Sequence, residues 1–250
     1  MKKEIEWIIK DKYNGKVDAG SLRQDINRLK SGEPIDYIIG WKDFLGVKIF
    51  LEQHPLIPRE ESAYWAERAM ATMIAEGKAM KGGLILDIFA GSGCLGLSVL
   101  KHIPQIKVHF ADKEKKFLKQ IEENAKANKI NKRRYRLISS DIFSKIKDKY
   151  DVILANPPYI PSAKLKKMPK SVITFEPIKA LDGGKDGLFF IKRFLKGAKK
   201  RLKKEGAIYM EFNSGQEQKI GKILKENKYP FWIFGKDQFG KYRYVVVKNQ

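Results

Sequence analysis

The sequence predicts an α/β fold in which a mostly parallel sheet is covered by helices on both faces. From residue 84 onward, short apolar segments alternate with amphipathic helical segments, and such alternation is typical of parallel sheets. The 250 residues are 43% hydrophobic, which is enough to bury one sizeable core. We expect three units: a short N-terminal helical lobe over residues 1–40, a β-hairpin linker over 41–59 and the α/β domain over 60–250.

The first forty residues show helical periodicity. Ile5, Ile8 and Ile9 recur at helical spacing, and Leu22, Ile26 and Leu29 repeat the pattern after a break that contains glycines. The next segment, residues 44–51, is rich in β-branched and aromatic residues, and prolines follow it. This composition predicts a short hairpin that leads into the main domain.

The main domain is predicted to begin with a helix from residue 60 to about residue 79. Seven strands are then expected at 84–88, 107–111, 136–139, 152–155, 206–212, 231–234 and 242–247, and helices at 93–101, 113–128, 187–203 and 216–227. No helical segment separates the last two strands. They should therefore pair as an antiparallel hairpin at one edge of the sheet.

The formal net charge of +22 is large for a chain of this size. It would favour encounter with an anionic partner such as RNA, DNA or the ribosome. The excess is mostly lysine spread along the whole chain, however, which a general lysine bias produces equally well. Both interpretations stay open at this stage, so ribosome or RNA contact through a basic surface is one hypothesis.

The residue composition bears on metal binding and on location. Cys94 is the single cysteine, and His54, His102 and His109 are too few and too scattered for a metal centre, so no metal is expected. No run approaches the roughly 20 apolar residues of a membrane-spanning helix. The N-terminus is too polar for a signal peptide, and we expect a cytoplasmic protein.

A nucleotide-type cofactor site is predicted where three strands end. The first strand runs into Asp87-Ile88-Phe89-Ala90-Gly91-Ser92-Gly93-Cys94-Leu95-Gly96, a G-x-G-x-x-G pattern at the start of a helix. Asp112 ends the second strand and can accept hydrogen bonds from both ribose hydroxyls of an adenosine. After the third strand, Asp141 could receive an adenine amino group while Ile142 covers the ring.

Each of these residues alone could be purely structural. Glycines often only turn the chain, and aspartates often only cap helices. Three such features in register at successive strand ends are better explained by a ligand, because open parallel sheets bind ligands there.

The segment Asn156-Pro157-Pro158-Tyr159 directly follows the fourth strand. It could be no more than a proline-rich turn. Its position favours chemistry, since prolines stiffen the loop and hold the Asn156 side-chain oxygen and the Pro157 carbonyl as two fixed acceptors. If a planar NH2 group attacks the methyl group of a sulfonium compound, positive charge builds on the attacking nitrogen. Hydrogen bonds to both acceptors would stabilise that charge. Tyr159 could stack on the planar group.

The loop and its flanking motifs resemble the HemK/PrmC protein-(glutamine-N5) methyltransferases. Residues 32–40 are similar to that family's linker motif, and Leu56-Ile57-Pro58-Arg59-Glu60-Glu61-Ser62 to the segment that begins its catalytic domain. Phe175-Glu176-Pro177 and Ala180-Leu181-Asp182-Gly183-Gly184-Lys185-Asp186-Gly187-Leu188 follow in the family's order. The resemblance runs from about Gly32 to the C-terminus.

This resemblance implies a seven-stranded Rossmann-like class I methyltransferase domain that uses S-adenosyl-L-methionine. Cofactor contacts carry over onto Phe89, Ala90, Gly91, Ser92, Gly93, Asp112, Ile142 and Asn156. The substrate would be the glutamine of the Gly-Gly-Gln motif in a peptide chain release factor, placed against residues 156–159. Phe89 replaces a glycine usual in the family, so its backbone must avoid positive φ or accept strain. The N-terminal lobe is shorter than the family's usual helical bundle.

Three other functions remain open from the residues. The catalytic loop would also suit N-methylation of a nucleobase in RNA or DNA, although base flipping would normally need an added recognition domain. A nicotinamide-dependent oxidoreductase fits the glycine pattern and Asp112 but leaves the Asn156 loop unexplained. A non-catalytic RNA-binding protein would not need an intact Asn156 or Tyr159.

Overall fold

A computed structural model describes residues 1–77 and 82–249. It confirms the α/β class and the seven-stranded sheet. The linker hairpin consists of β1 (Trp41–Phe44) and β2 (Val47–Phe50), which pair antiparallel. The large sheet consists of β3 (Leu84–Ile88), β4 (Lys107–Asp112), β5 (Tyr135–Ser139), β6 (Tyr150–Ala155), β7 (Leu202–Glu211), β8 (Phe231–Lys236) and β9 (Tyr242–Lys248).

The helices follow the predicted alternation from α4 onward. They are α1 (Lys2–Trp7), α2 (Ala19–Lys30), α3 (Ile35–Ile39), α4 (Glu60–Ala75), α5 (Cys94–His102), α6 (Lys115–Ala127), α7 (Ser162–Leu165), α8 (Lys170–Phe175), α9 (Phe189–Ala198) and α10 (Glu217–Glu226). A π-helical turn (Ile8–Lys12) extends α1, and 3-10 turns occur at Lys132–Arg134, Ile178–Ala180 and Lys199–Arg201. No helix in the described ranges is long and apolar enough to cross a membrane.

The strand order in the large sheet is β5-β4-β3-β6-β7-β9-β8. Strands β3 to β7 are parallel, whereas β9 runs antiparallel to both β7 and β8. The predicted antiparallel edge hairpin is therefore confirmed, with β9 inserted between β7 and β8. The chain moves outward from β3 in one direction through β4 and β5 and then in the other through β6 and β7. A ligand crevice forms beside such a switch point.

Two hydrophobic clusters cover the two faces of the sheet. Side chains alternate along each strand, so Ile85 joins the cluster with Trp65 of α4 and Ile121 of α6. Leu86 points the other way, into the cluster that contains Phe194 of α9. The central strands β3 and β6 are thus buried on both faces, as their nearly continuous apolar sequences predict.

Some boundaries differ from the sequence prediction. Helix α4 ends at Ala75, and the predicted end at Ala79 lies outside the described residues. The helix predicted for 187–203 is shorter in the structure, where α9 spans Phe189–Ala198. A 3-10 turn at Lys199–Arg201 follows it, and β7 begins at Leu202. Leu202 pairs with Tyr150 ahead of a register shift, which lengthens β7 beyond its predicted start.

The N-terminal lobe is helical, as predicted, and is organised around a buried carboxylate. Asp25 of α2 accepts hydrogen bonds from Lys12 Nζ at 2.7 and 2.8 Å, Tyr13 Oη at 2.7 Å and Arg28 Nη1 at 3.2 Å. Burial raises the pKa of Tyr13 to about 12, and its hydrogen bond to Asp25 adds to the effect. A buried carboxylate is tolerated only when it is paired in this way.

The hairpin is fixed to the main domain by a row of amides on α6. The side-chain oxygens of Gln120, Asn124 and Asn128 accept hydrogen bonds from the backbone N–H groups of Gln53 (2.8 Å), Phe50 (2.8 Å) and Lys48 (3.0 Å). Residues four apart share one face of a helix, so the row satisfies the edge of β2. Asn124 Nδ2 also donates to the Ser92 carbonyl at 3.1 Å and links the hairpin to the predicted cofactor turn.

Candidate active site

A cavity of about 740 Å³ opens at the carboxyl ends of β3, β4 and β6. This volume suits a ligand of drug or nucleotide size. Most of the predicted site residues line it: Phe89, Ala90, Gly91, Ser92, Asp112, Asp141, Ile142, Asn156 and Pro158. Three predicted residues, Gly93, Pro157 and Tyr159, are not among the residues that line it.

The turn after β3 has the backbone conformation that its glycines allow. Gly91 and Gly93 both have positive φ, at 51° and 78°, which only glycine adopts without strain. A Cβ at Gly93 would lie 2.8 Å from Ile121 Cγ1, so this glycine serves the packing of α5 against α6. Asp87 Oδ2 accepts a hydrogen bond from Gly96 N at 2.9 Å and fixes the start of α5.

Phe89 accepts the strained conformation. Its φ is +60°, in the left-handed region that disfavours a side chain. The ring packs edge-on against Phe190 and Phe194 of α9, with centroids 6.2 and 6.1 Å apart. This aromatic packing offsets the backbone strain, and it brings α9 up to the cofactor turn.

Asp112 sits at the end of β4 with both oxygens held by backbone amides. Oδ2 accepts from Gly91 N and Oδ1 from Glu114 N, each at 2.9 Å. Each carboxylate oxygen retains a further lone pair, so the side chain can still accept hydrogen bonds from two ribose hydroxyls. Burial raises the pKa of this carboxyl, while the hydrogen bonds from Gly91 and Glu114 counteract that shift.

The third strand end also reaches the cavity. Ile142 is buried, with a φ of +50°, and lines the wall beside Asp141. The Asp141 carboxylate pairs with Arg193 of α9 at 2.9 Å. A bound adenine, whose amino group Asp141 is predicted to receive, would therefore meet an ion pair at this position.

The loop after β6, predicted to be catalytic, contributes Asn156 and Pro158 to the cavity wall. Tyr159 points away from the cavity, because its hydroxyl donates to Glu211 Oε1 at 2.9 Å. Burial, together with the nearby Glu211 carboxylate, raises the pKa of this phenol well above its usual value. Stacking of Tyr159 on a substrate stays a prediction, and its anchoring to Glu211 is the observed contact.

The glycine-rich segment after α8 forms the backbone support of this loop. Ile160 N donates to the Leu181 carbonyl at 2.9 Å, and Gly183 N donates to the Ile160 carbonyl at 2.8 Å. A Cβ on Gly183 would lie 2.8 Å from the Pro158 carbonyl oxygen, and one on Gly187 would lie 2.3 Å from that of Tyr159. Glycine is required at both positions because the two backbones touch.

An ion pair closes the opposite wall. Glu176, of which 4% is exposed, accepts hydrogen bonds from Ile57 N at 3.1 Å and from Arg59 Nη2. The wall continues through Pro177 to Ala180. Two segments that carried the family resemblance, residues 56–62 and 175–177, are thus in direct contact at this wall.

Sequence reasoning missed the residues behind Asn156. Glu211, the last residue of β7, accepts hydrogen bonds from Ser62 Oγ (2.5 Å) and Trp65 Nε1 (2.8 Å) as well as from Tyr159. Burial raises the pKa of this carboxyl, and the hydrogen bonds from Ser62, Trp65 and Tyr159 oppose the rise. The one available signal was an acidic residue in the otherwise uncharged stretch 206–212.

The sheet order, the glycine turn, the acid after β4 and the loop after β6 together define a class I S-adenosylmethionine-dependent methyltransferase. Residues 67–174 match the family described as "Methyltransferase small domain". This match covers the glycine turn, Asp112 and the loop after β6.

Curated relatives give a narrower identification. The chain is 32% identical over 232 residues to a release factor glutamine methyltransferase of Thermodesulfovibrio yellowstonii, with 92% of this chain and 82% of the relative covered. It is 34% identical over 229 residues to a protein of the same name from Lactococcus lactis, with 91% and 82% covered. The chain belongs to the release factor glutamine methyltransferase family.

Solved structures share the fold. A 16S rRNA N2 G1207 methyltransferase of T. thermophilus, in complex with AdoMet and guanosine, superposes with a TM-score of 0.58 at 17% sequence identity. The superposition covers 84% of this chain and 50% of that one. At this identity the likeness shows the fold alone.

Proposed function

We propose that the chain transfers the methyl group of S-adenosylmethionine to the side-chain amide nitrogen of a glutamine in the Gly-Gly-Gln motif of a peptide chain release factor. The observation that carries the proposal is the position of Asn156. It lines the same cavity as the glycine turn and Asp112, so an amide acceptor lies within reach of a cofactor held by those residues. The names of the curated relatives support glutamine as the methylated side chain.

The cofactor would be held by residues 89–92, Asp112, Asp141 and Ile142. The residues present fit it, because Asp112 keeps free lone pairs for ribose hydroxyls and the apolar Ile142 faces the cavity. When bound, S-adenosylmethionine supplies an electrophilic methyl group on a sulfonium centre.

The protein activates the amide by position rather than by a base. An amide nitrogen is a poor nucleophile because its lone pair is delocalised. The Asn156 side-chain oxygen and the Pro157 carbonyl would accept the two hydrogens of the substrate NH2 group and so turn its lone pair toward the methyl group. Positive charge that builds on the nitrogen is stabilised by the same two oxygens, and the proton leaves to water afterwards.

The three sequence units have distinct roles in this proposal. Residues 60–250 would carry out methyl transfer, while the linker at 41–59 would hold the cavity wall through Ile57 and Arg59. The short lobe at 1–40 would contact the release factor. The lobe is joined to the linker, where the Tyr37 hydroxyl donates to the Pro55 carbonyl at 2.7 Å.

A basic groove beside the active site supports contact with RNA or the ribosome during substrate delivery. A second cavity of about 900 Å³ shares Gly184 and Phe189 with the first. Its charged wall, the basic groove, consists of Lys164, Lys185, Lys192, Arg193 and Lys219 against Asp186. Such clustering favours an anionic partner, and filter binding of RNA across a salt series would measure it.

One labelling experiment tests the proposed function. The protein is incubated with labelled S-adenosylmethionine, a purified release factor and total RNA, and the methyl group is then located by mass spectrometry. We expect label on the glutamine of Gly-Gly-Gln. Label on RNA with none on that glutamine would support nucleobase methylation and overturn the proposal.

A further inference from the structure

A buried carboxylate lies directly behind the catalytic loop and outside the cavity wall. Glu211 is 1% exposed. Its donors come from two parts of the chain: Ser62 and Trp65 from α4, and Tyr159 from the loop after β6. Burial of a carboxyl without such partners would be costly. The three donors offset this cost, and Glu211 thereby joins α4 to the loop after β6.

The donor and acceptor roles in this cluster follow from chemistry. The indole N–H of Trp65 can only donate, so Glu211 Oε2, which it contacts at 2.8 Å, must accept. Ser62 Oγ contacts the same oxygen at 2.5 Å and donates its single proton there. If Glu211 is protonated, the proton belongs on Oε1, where the Tyr159 hydroxyl can accept it. The direction of the Ser62 hydroxyl is therefore the same in both protonation states.

The Ser62 oxygen is left to act as an acceptor on its other side. Asn156 Nδ2 lies 3.5 Å from it and donates. The NH2 end of the Asn156 amide is thereby turned toward Ser62, and its Oδ1 is left for the cavity that Asn156 lines. If the Asn156 amide were flipped, its NH2 group would face the substrate NH2 group. Both groups are hydrogen-bond donors, so no hydrogen bond would form between them.

We propose that Glu211, acting through Ser62, is a positioning residue that fixes the Asn156 amide with its oxygen toward the substrate nitrogen. Glu211 also holds the other end of the catalytic loop through Tyr159. The inference rests on the proposed function, because only a substrate with NH2 donors requires this orientation.

A matched pair of variants at Ser62 tests the relay. Ser62→Ala removes the acceptor, and Ser62→Thr keeps it. For Ser62→Ala we expect kcat to fall at least about tenfold, or about 1.4 kcal/mol, with the KM for release factor and the Kd for S-adenosylmethionine within about threefold of wild type. Ser62→Thr should restore kcat to within about threefold. Wild-type kcat in Ser62→Ala would overturn the proposal.

Variants of Glu211 test the same relay if threonine does not fit at position 62. In Glu211→Gln the amide oxygen can accept from Ser62 and Trp65, while its NH2 faces the Tyr159 hydroxyl, which can turn to accept. We expect kcat within about threefold of wild type. Glu211→Leu removes the acceptor and should lower kcat at least about tenfold. Equal kcat values for two folded Glu211 variants would contradict the proposed role.

Nuclear magnetic resonance reports the orientation without any substrate. The Asn156 side-chain amide is assigned by its disappearance in Asn156→Ala. One of its two protons should exchange slowly with water in wild type and Ser62→Thr, and both should exchange rapidly in Ser62→Ala. No change in Ser62→Ala would overturn the positioning role even if glutamine is methylated. If the wild-type protein does not methylate glutamine, the proposed function is overturned. The exchange of the Asn156 amide protons with water then still tests the orientation of the amide.

Discussion

Arg59 and Glu176 lie 117 residues apart in sequence and form an ion pair across the wall of the active site. Glu176 is buried, whereas about a third of the Arg59 side chain is exposed. Loss of the guanidinium would leave the carboxylate buried, with Ile57 N as its one remaining donor among the residues that the structure describes. The pair therefore supports both the linker and the wall.

We expect Arg59→Met to lower the free energy of unfolding by about 3 kcal/mol, because it leaves a buried charge without its partner. Arg59→Met combined with Glu176→Gln should recover part of the loss, since no buried charge remains. Urea unfolding of the two single variants and the double variant gives the coupling energy. Additive losses would show that the two side chains do not interact.

Asn156→Ala should abolish methyl transfer and spare cofactor binding. Removal of one preorganised acceptor at the reacting nitrogen costs on the order of a hundredfold or more in kcat. The Kd for S-adenosylmethionine, measured by isothermal titration, should stay within roughly tenfold, or about 1.4 kcal/mol. An unfolding curve that matches wild type provides the control, and turnover close to wild type would refute the role of Asn156.

The backbone strain at Phe89 can be separated from the packing of its ring. Phe89→Ala loses the contacts with Phe190 and Phe194 and keeps a φ that alanine disfavours, whereas Phe89→Gly loses only the contacts. We expect Phe89→Gly to be more stable than Phe89→Ala by about 1 kcal/mol. Both should be less stable than wild type by thermal or urea unfolding.

Phe190 provides the matched control for this comparison. It lies within α9, where glycine is less favourable than alanine. The order of the glycine and alanine variants should therefore reverse at Phe190. Alanine variants that are more stable than the glycine variants at both positions would mean that the conformation of Phe89 stores no strain.

Asp87 should make the protein less stable as pH rises. Burial raises the pKa of this carboxyl from 3.8 to about 8, and the nearby Asp112 adds to the shift. Between about pH 4 and 8 the unfolded chain ionises at this position while the folded protein holds the proton. The stability contributed by the raised pKa is thus complete below pH 4 and lost as pH approaches 8.

Urea unfolding at pH 5 and pH 8 measures this dependence without cofactor. Asp87→Asn should lose less stability than wild type between the two pH values, because asparagine does not titrate. The exposed Asp43→Asn variant should keep the wild-type slope. An unchanged slope in Asp87→Asn would show that Asp87 ionises normally in the folded protein.

Local patterns were sufficient to predict most of the fold. The central strands β3 and β6 are buried on both faces, so each appears as an apolar run, and the cofactor turn and the Asn156 loop follow these two runs directly. Helices α7 and α8 were not predicted, because charged residues and Pro161 and Pro169 mask a helical pattern in that segment.

Contacts over long sequence distances could not be predicted in the same way. Ser62 and Glu211 are 149 residues apart, and neither carries a local signal for the other. The sequence raised the question of positive φ at Phe89. The answer depended on aromatic partners from α9, a helix a hundred residues further along the chain.

The inserted position of β9 has a consequence for the order in which the protein matures during synthesis. Strand β7 ends in Glu211 and is an open sheet edge until β9 pairs beside it. Ribosomes release the N-terminal parts of a chain first, so β9 emerges after every other strand of the sheet. A nascent chain can thus bury its glycine turn early, yet the strand that supports Asn156 is enclosed only once β9, the last strand of the sheet, has emerged.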